Sequence, residues 1–186
     1  SMTAASINSS LRGEVGLDVI RAVKAGGALL AADMQGFVRV LNGRGLHSEP
    51  WPEMEETLAY VDILKSDAVE AEHLTGKKDI IEAAQAYAAM GPKEIVLTHK
   101  DGVLIHFNGE SHDLPFHATR LDGRSGRGDT CIGTYVAMRL TMDPLQAGIW
   151  AAAVTSLKVE RLGLFDRPLR EVEELIQTYY QNGRIH

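Results

Sequence analysis

Leu121-Asp122-Gly123-Arg124-Ser125-Gly126-Arg127-Gly128-Asp129-Thr130-Cys131-Ile132-Gly133 is the stretch on which the reading of this chain turns. Glycines stand at 123, 126 and 128, followed by an acid and then by Ile132, Val136 and Leu140 at a helical i, i+4, i+8 spacing. Glycine lets the backbone approach a ligand closely and adopt positive φ. A helix that begins here turns its unpaired N–H groups and the positive end of its dipole toward the loop. That is a site for an anion, most often phosphate. A carboxylate repels phosphate, so Asp129 is a poor phosphate ligand. It suits a general base that takes a proton from a hydroxyl while the loop holds the phosphate which that hydroxyl attacks. The plain alternative is a glycine-rich turn ahead of a helix, with Asp as a favoured cap.

A second phosphate-binding reading uses the same letters. Gly123 and Gly128 fit G-x-x-x-x-G, and Thr130 stands where a P-loop carries Ser or Thr. The lysine position is Asp129, however, which reverses the key charge, and Phe116 to Asp122 is a weak strand pattern where a P-loop follows a strand.

Composition bounds the remaining choices. The 186 residues suffice for one domain with a sizeable core, and 45% hydrophobic with 24% charged residues is an ordinary globular balance. The net charge is −6 and no basic run appears, which argues against a nucleic-acid partner. No apolar stretch reaches membrane-spanning length and no secretory signal is visible, so no membrane association is expected. One cysteine, Cys131, excludes an internal disulfide framework and fits a reducing cytoplasm. The seven histidines are scattered without metal-ligand spacing. Ser1-Met2 reads as a tag remnant, and residues 1–12 as a loose lead-in to a domain over 13–186.

Along the chain, Glu14 to Lys24 predicts a helix with Val15, Val19, Ala22 and Val23 inward, ended by Gly26-Gly27. Ala28 to Asp33 predicts a buried parallel strand, Met34-Gln35-Gly36 a turn, and Asn42 to Pro52 a loop. Glu53 to Tyr60 reads as a helix, Val61 to Ser66 as a strand, and Asp67 to Gly76 as a helix closed by glycine. Asp67 and Glu70 lie at i and i+3 on one helix face; the plain account of them is acids favouring the first turn of a helix. Asp79 to Met90 is amphipathic, and Glu94–Thr98 and Gly102–Phe107 are strands separated by a turn carrying Asp101-Gly102. Asn108-Gly109 is a second tight turn before an edge-type strand over Ser111 to Phe116. Asp143-Pro144-Leu145-Gln146 starts a helix running to near Gly163, and Pro168 opens the last one, with Leu169, Val172, Leu175/Ile176 and Tyr179 inward. Strands alternating with helices predict a layered α/β/α fold with a mainly parallel sheet.

Four stretches together resemble one family, the ribokinase-like (PfkB) sugar kinases. Gly126-Arg127-Gly128-Asp129 is similar to its G-A-G-D signature, with Arg127 where a small residue is usual. The family's earlier acid in this loop would fall on Gly123, and Asp122 stands one position before it. Lys65-Ser66-Asp67-x-x-Glu70-x-x-x-Leu74-Thr75-Gly76 resembles K-x-N-x-x-E-x-x-x-L-T-G, Thr98 to Gly102 a shortened T-x-G-x-x-G nucleotide loop, and Ala151 to Leu157 the segment lining the adenine pocket. Asp33-x-Gln35-Gly36-x-x-Arg39 is like a segment of some members.

The resemblance implies a ribokinase-like fold and phosphoryl transfer from ATP with Mg²⁺ to a hydroxyl of a sugar or sugar-like substrate. In that light Asp129 is the base, and the N–H groups of Gly126, Arg127 and Gly128 form the anion hole. Asp67 and Glu70 act on Mg²⁺. Thr98, Asp101, Gly102, Ser125, Gly126, Gly128, Ala152 and Ser156 hold the nucleotide. The sequence itself adds Arg127 and Arg124 as charges facing the phosphates. Nothing here resembles the family's N-terminal part, so that part is expected to be missing, and the chain alone is expected to be inactive as a kinase and to self-associate or be completed by a missing segment. A non-catalytic nucleotide-binding or regulatory module and a P-loop-type NTPase remain the alternative functions.

Overall fold

The computed structural model describes residues 2–43, 45–123 and 125–180. It is a mixed α/β fold with a mostly parallel central sheet, as alternating strand and helix patterns predict. The residues fall into two compact units, 1–98 with 106–111, and 99–105 with 112–186.

The first unit is built on four parallel strands in the order β1 (Ala4–Ile7), β2 (Leu29–Asp33), β5 (Ile63–Asp67) and β6 (Glu94–Thr98). β2, β5 and β6 carry apolar residues, and Leu30, Ile63, Leu64, Ile95 and Leu97 are wholly buried. Between them run α1 (Leu17–Ala25), α2 (Gln35–Val38), α3 (Met54–Leu58), α4 (Ala68–Thr75) and α5 (Ile80–Ala89). The register sets Asp67 at the end of β5 opposite Thr98 at the end of β6.

Several expectations are corrected here. Residues 4–7, read as loose lead-in, form β1, because four backbone pairings with β2 outweigh the weak strand propensity of Ala-Ala-Ser-Ile. Ser1 lies outside the described residues. The predicted loop over 42–52 contains β4 (Gly45–Ser48), paired antiparallel with β3 (Arg39–Asn42). The turn at Met34-Gln35-Gly36 continues into the single helical turn α2. α1 buries Ile20, while Val19 is exposed, so its inner stripe lies one position later than expected.

In the second unit, α6 (Arg127–Arg139) packs on α7 (Pro144–Val159), and α7 on α8 (Leu169–Tyr179). α7 starts as its sequence predicts: the Asp143 carboxylate accepts the Gln146 N–H at 2.9 Å and Pro144 takes a first-turn position. It ends at Val159 rather than near Gly163, and is buried from Ala147 through Val159 except Trp150. α6 buries Cys131, Ile132, Tyr135 and Val136, whereas Leu140, expected on that stripe, is exposed beyond the helix end. Val172 and Ile176 are the buried residues of α8; Leu169 and Tyr179, expected inward, are exposed, and Tyr179 stacks instead on His117 at 4.1 Å. β7 (Gly102–Phe107) and β8 (Glu110–Pro115) are joined by the predicted Asn108-Gly109 turn, both residues at positive φ. Among the described residues no helix is long and apolar enough to cross a membrane.

Candidate functional site

The glycine loop of the second unit is fixed by α7. The Gly123 N–H donates to the Val159 carbonyl at 2.8 Å, and a Cβ on Gly123 would lie 1.7 Å from the Arg161 carbonyl oxygen, so no side chain fits there. Gly126 then takes φ +74 and ψ 11 as the N-cap of α6. This is the left-handed conformation that glycine adopts without steric cost. Asp129 is therefore not the cap: it lies in the first turn of α6, exposed, and the N-terminus of α6 carries no side-chain capping bond. The first N–H groups of a helix have no intrahelical partner, and a helix start of this kind suits an anion. Gly128 lies within the helix, so the left-handed position in the loop belongs to Gly126.

Two cavities open beside this helix start. One, of about 330 Å³, is lined by Ser125, Gly126, Asp129, Thr130 and Lys158, with Leu162 and Leu164 at its side. The other, of about 310 Å³, is lined by Asp101, Lys100 and Arg127 with the apolar surfaces of Phe116, Ala118 and Val159. Thus Gly126, Ser125 and Asp129 share one cavity, and Asp101 and Arg127 share the next. The turn before β7 is closed by the His99 N–H on the Gly102 carbonyl at 2.9 Å, and the Asp101 carbonyl accepts from Phe116 N–H at 2.7 Å. Ala152 and Ser156 are buried inside α7; the Ser156 hydroxyl donates to the Ala152 carbonyl and accepts from the His117 N–H. Asp122 is exposed beside Arg120 at 3.4 Å. Arg124 lies outside the described residues. No strand is formed over 116–123, so the strand that a P-loop follows is absent there.

The first unit holds Asp67, Glu70 and Thr98. Asp67 and Glu70 form a capping box: the Asp67 carboxylate accepts the Glu70 N–H at 2.8 Å, and the Glu70 carboxylate accepts the Asp67 N–H at 3.0 Å. The Thr98 hydroxyl donates to the Ser66 carbonyl at 3.4 Å. The residues that open two of the family-like stretches also meet there, Lys65 Nζ on Asp33 Oδ2 at 2.9 Å, both almost wholly buried, a pairing the sequence does not show. Burial pushes the Glu70 carboxyl above the ordinary carboxylate value, and the Lys65 ammonium and the Asp67 N–H pull it part of the way back. Among the described residues no three His, Cys, Asp or Glu side chains converge as a metal set. The oxygens that Asp67 and Glu70 do not use in the box suit a hard cation held through water, as Mg²⁺ usually is.

Sequence reasoning also misses Lys158, which is 5% exposed and donates to the carbonyls of Gly123 at 2.9 Å and Ser125 at 2.6 Å. Its only sequence signal is a cation in the last turn of an otherwise uncharged helix.

No family model matches the chain. A solved pyrophosphate-dependent kinase of the ribokinase family, in complex with a pyrophosphate analogue and myo-inositol, is 36% identical with a TM-score of 0.85; the match covers 95% of this chain and 64% of that one. The 2-dehydro-3-deoxygluconokinase of Thermoproteus tenax is 29% identical over 141 residues, which cover 69% of this chain and 43% of that protein. The Arabidopsis thaliana ribokinase complexed with ribose and ATP, at 24% identity and a TM-score of 0.69, covers 87% of this chain and 51% of its own, and shows the same fold. The chain therefore spans less than two thirds of the length of the proteins it matches. With its parallel sheet and its glycine loop at the start of a helix, this chain has as its structural neighbours the ribokinase-family (PfkB) carbohydrate kinases, and it corresponds to part of their length.

Proposed function

We propose that the protein to which this chain belongs is a phosphotransferase that moves a phosphoryl group to a hydroxyl of a sugar or sugar-like substrate. The observation that carries this reading is the start of α6: Gly126 in the left-handed conformation as its N-cap, with the exposed Asp129 carboxylate in the cavity that Gly126 also lines; on this reading the first N–H groups of the helix, those of Gly126, Arg127 and Gly128, receive the transferring group. Those amides stabilise charge that builds on the transferring group. Asp129 takes the proton of the acceptor hydroxyl. Arg127, where the family has a small residue, adds a charge toward the donor phosphates.

The donor is ATP on the family resemblance. In that role Asp101 and Ser125 contact the nucleotide, Gly126 and Gly128 approach its phosphates, Thr98 and Gly102 shape the loop, and Ala152 with Ser156 supports the base pocket from α7. Pyrophosphate is a second reading of the donor, because two cations, Lys100 and Arg127, line the smaller cavity and the 36%-identical relative is a pyrophosphate-dependent kinase. Asp67 and Glu70 would hold Mg²⁺ through water, and the chemistry it would supply is neutralisation of phosphate charge. A regulatory module that binds nucleotide without turnover would leave Asp129 without a chemical role.

Asp129→Asn in the full-length protein is expected to lower kcat by roughly 10²–10⁴ with donor affinity little changed. ATP and pyrophosphate are to be compared as donors, with ribose, 2-dehydro-3-deoxygluconate and myo-inositol as acceptors. Turnover of the variant near the wild-type rate rejects the assignment.

A further inference from the structure

Lys158 has no role in the reading above, yet it is among the most enclosed charges of the second unit. Burying an ammonium is costly unless strong acceptors receive it. Lys158 is received by the carbonyls of Gly123 and Ser125, both in the glycine loop, and its Cε lies 3.8 Å from where a Cβ of Gly126 would stand. It belongs to the last turn of α7, where the helix dipole favours a cation. The side chain thus bridges the end of α7 to the start of α6.

The peptide unit turns this grip into a direction. In a planar trans peptide the C=O and the following N–H point opposite ways. With the Ser125 carbonyl drawn onto Lys158, the Gly126 N–H of the same unit must face away from it. Gly126 is exposed and, with Lys158, lines the cavity that contains Asp129, so an N–H turned away from the ammonium is free of it as a competing partner within that cavity. Because Gly126 sits at φ +74, with two loose dihedrals and no side chain to restrain them, its amide needs an external anchor to hold one orientation.

We propose that Lys158 is a positioning residue: by gripping the carbonyls of Gly123 and Ser125 it turns the Gly126 N–H toward the transferring phosphoryl group. This rests on the phosphoryl-transfer reading of the loop. The ammonium also leaves a fixed positive charge on the wall of the cavity that contains Asp129.

The test uses the full-length protein with ATP or pyrophosphate as donor and a panel of sugars and cyclitols as acceptors. Lys158→Met keeps the stem and removes the ammonium, Lys158→Arg keeps the charge, and Asp129→Asn reports on the reading itself. Lys158→Met is expected to lower kcat about 10²-fold, as loss of an aimed oxyanion donor does, with donor KM little changed. Lys158→Arg is expected to recover part of the rate. Normal kcat in Lys158→Met, or a loss accounted for entirely by its folded fraction in circular dichroism, overturns the positioning role; if Asp129→Asn is inactive in the same assay, the reading survives. Full activity of Asp129→Asn, or no wild-type turnover with any pair, overturns both. If Lys158→Met does not fold, ¹⁵N-labelled wild type and Lys158→Arg decide: a Gly126 amide resonance that moves with magnesium ATP or magnesium pyrophosphate in the wild type and moves less in Lys158→Arg, together with a lowered kcat, supports the proposal, and equal displacements with equal kcat overturn it.

Discussion

Glu70 shows how one buried carboxyl can be tied to both stability and a site. Burial makes it harder to ionise in the folded chain than in the unfolded one. The folded state therefore holds an extra proton over a window above the ordinary value of 4.5. The stability linked to that proton is complete below 4.5 and is lost as pH rises through the folded pKa, so at neutral pH the ionised group weakens the fold. Glu70→Gln keeps an oxygen for the Asp67 N–H and removes the charge. Its melting temperature is expected to exceed that of the wild type at pH 7, with the gap closing below pH 4.5; a gap that widens on acidification rejects the argument. Gly126 offers a second test at the same scale. Gly126→Ala is expected to cost about 1–2 kcal/mol in urea unfolding, because alanine pays to adopt the left-handed conformation. Gly128→Ala, in helical geometry, carries no such cost.

Helix starts are where the sequence is most legible, and they separate stability from chemistry. Asp67 and Asp143 both cap helices through a carboxylate that accepts an N–H. Each change to Ala is expected to cost about 1 kcal/mol of stability. Only Asp67→Ala is expected to alter the Mg²⁺ dependence of turnover, and equal Mg²⁺ titration curves for the two variants would remove Asp67 from the metal assignment. Caps and turns can be read because a single residue type decides them: Asp143 before Pro144, Gly76 after Thr75, Asn108-Gly109 between β7 and β8. β6 and β7 are equally plain as apolar runs bounded by turn residues. β1 and β4 are hidden, since Ala-Ala-Ser-Ile and Gly-Leu-His-Ser have little strand character and form only because partners pair with them. The inner stripe of α1 is misplaced by a residue, as periodicity fixes a helix better than its phase, whereas α8 buries Val172 and Ile176 as expected and exposes only the ends of its stripe. In the site, Asp129 and the glycines are visible as a pattern, whereas Lys158 and the Asp33–Lys65 pair depend on which residues the fold brings together across long sequence separations.

For the chain as a whole, the sheet has an open end. Among the described residues β1 stands first in the strand order and pairs with β2 alone. An edge strand presents unpaired N–H and C=O groups to any chain that can align with it. We propose that the 186-residue chain self-associates or is completed by a further segment, and that by itself it does not phosphorylate a sugar. Light scattering is expected to give a species larger than the 20.3 kDa of one chain, and a sugar-dependent ADP-release assay on the same sample is expected to show no turnover. A clean monomer with robust activity rejects both statements.

Cys131, two positions after Asp129 and wholly buried on α6, gives the protein a built-in clock. It is the sole thiol, so a labelling reagent can modify the native chain only when α6 swings open, and the modification rate counts those openings. No dye, tag or introduced residue is needed. Followed with and without donor, that rate would time how often the helix bearing the proposed base comes loose, and whether a bound anion holds it shut.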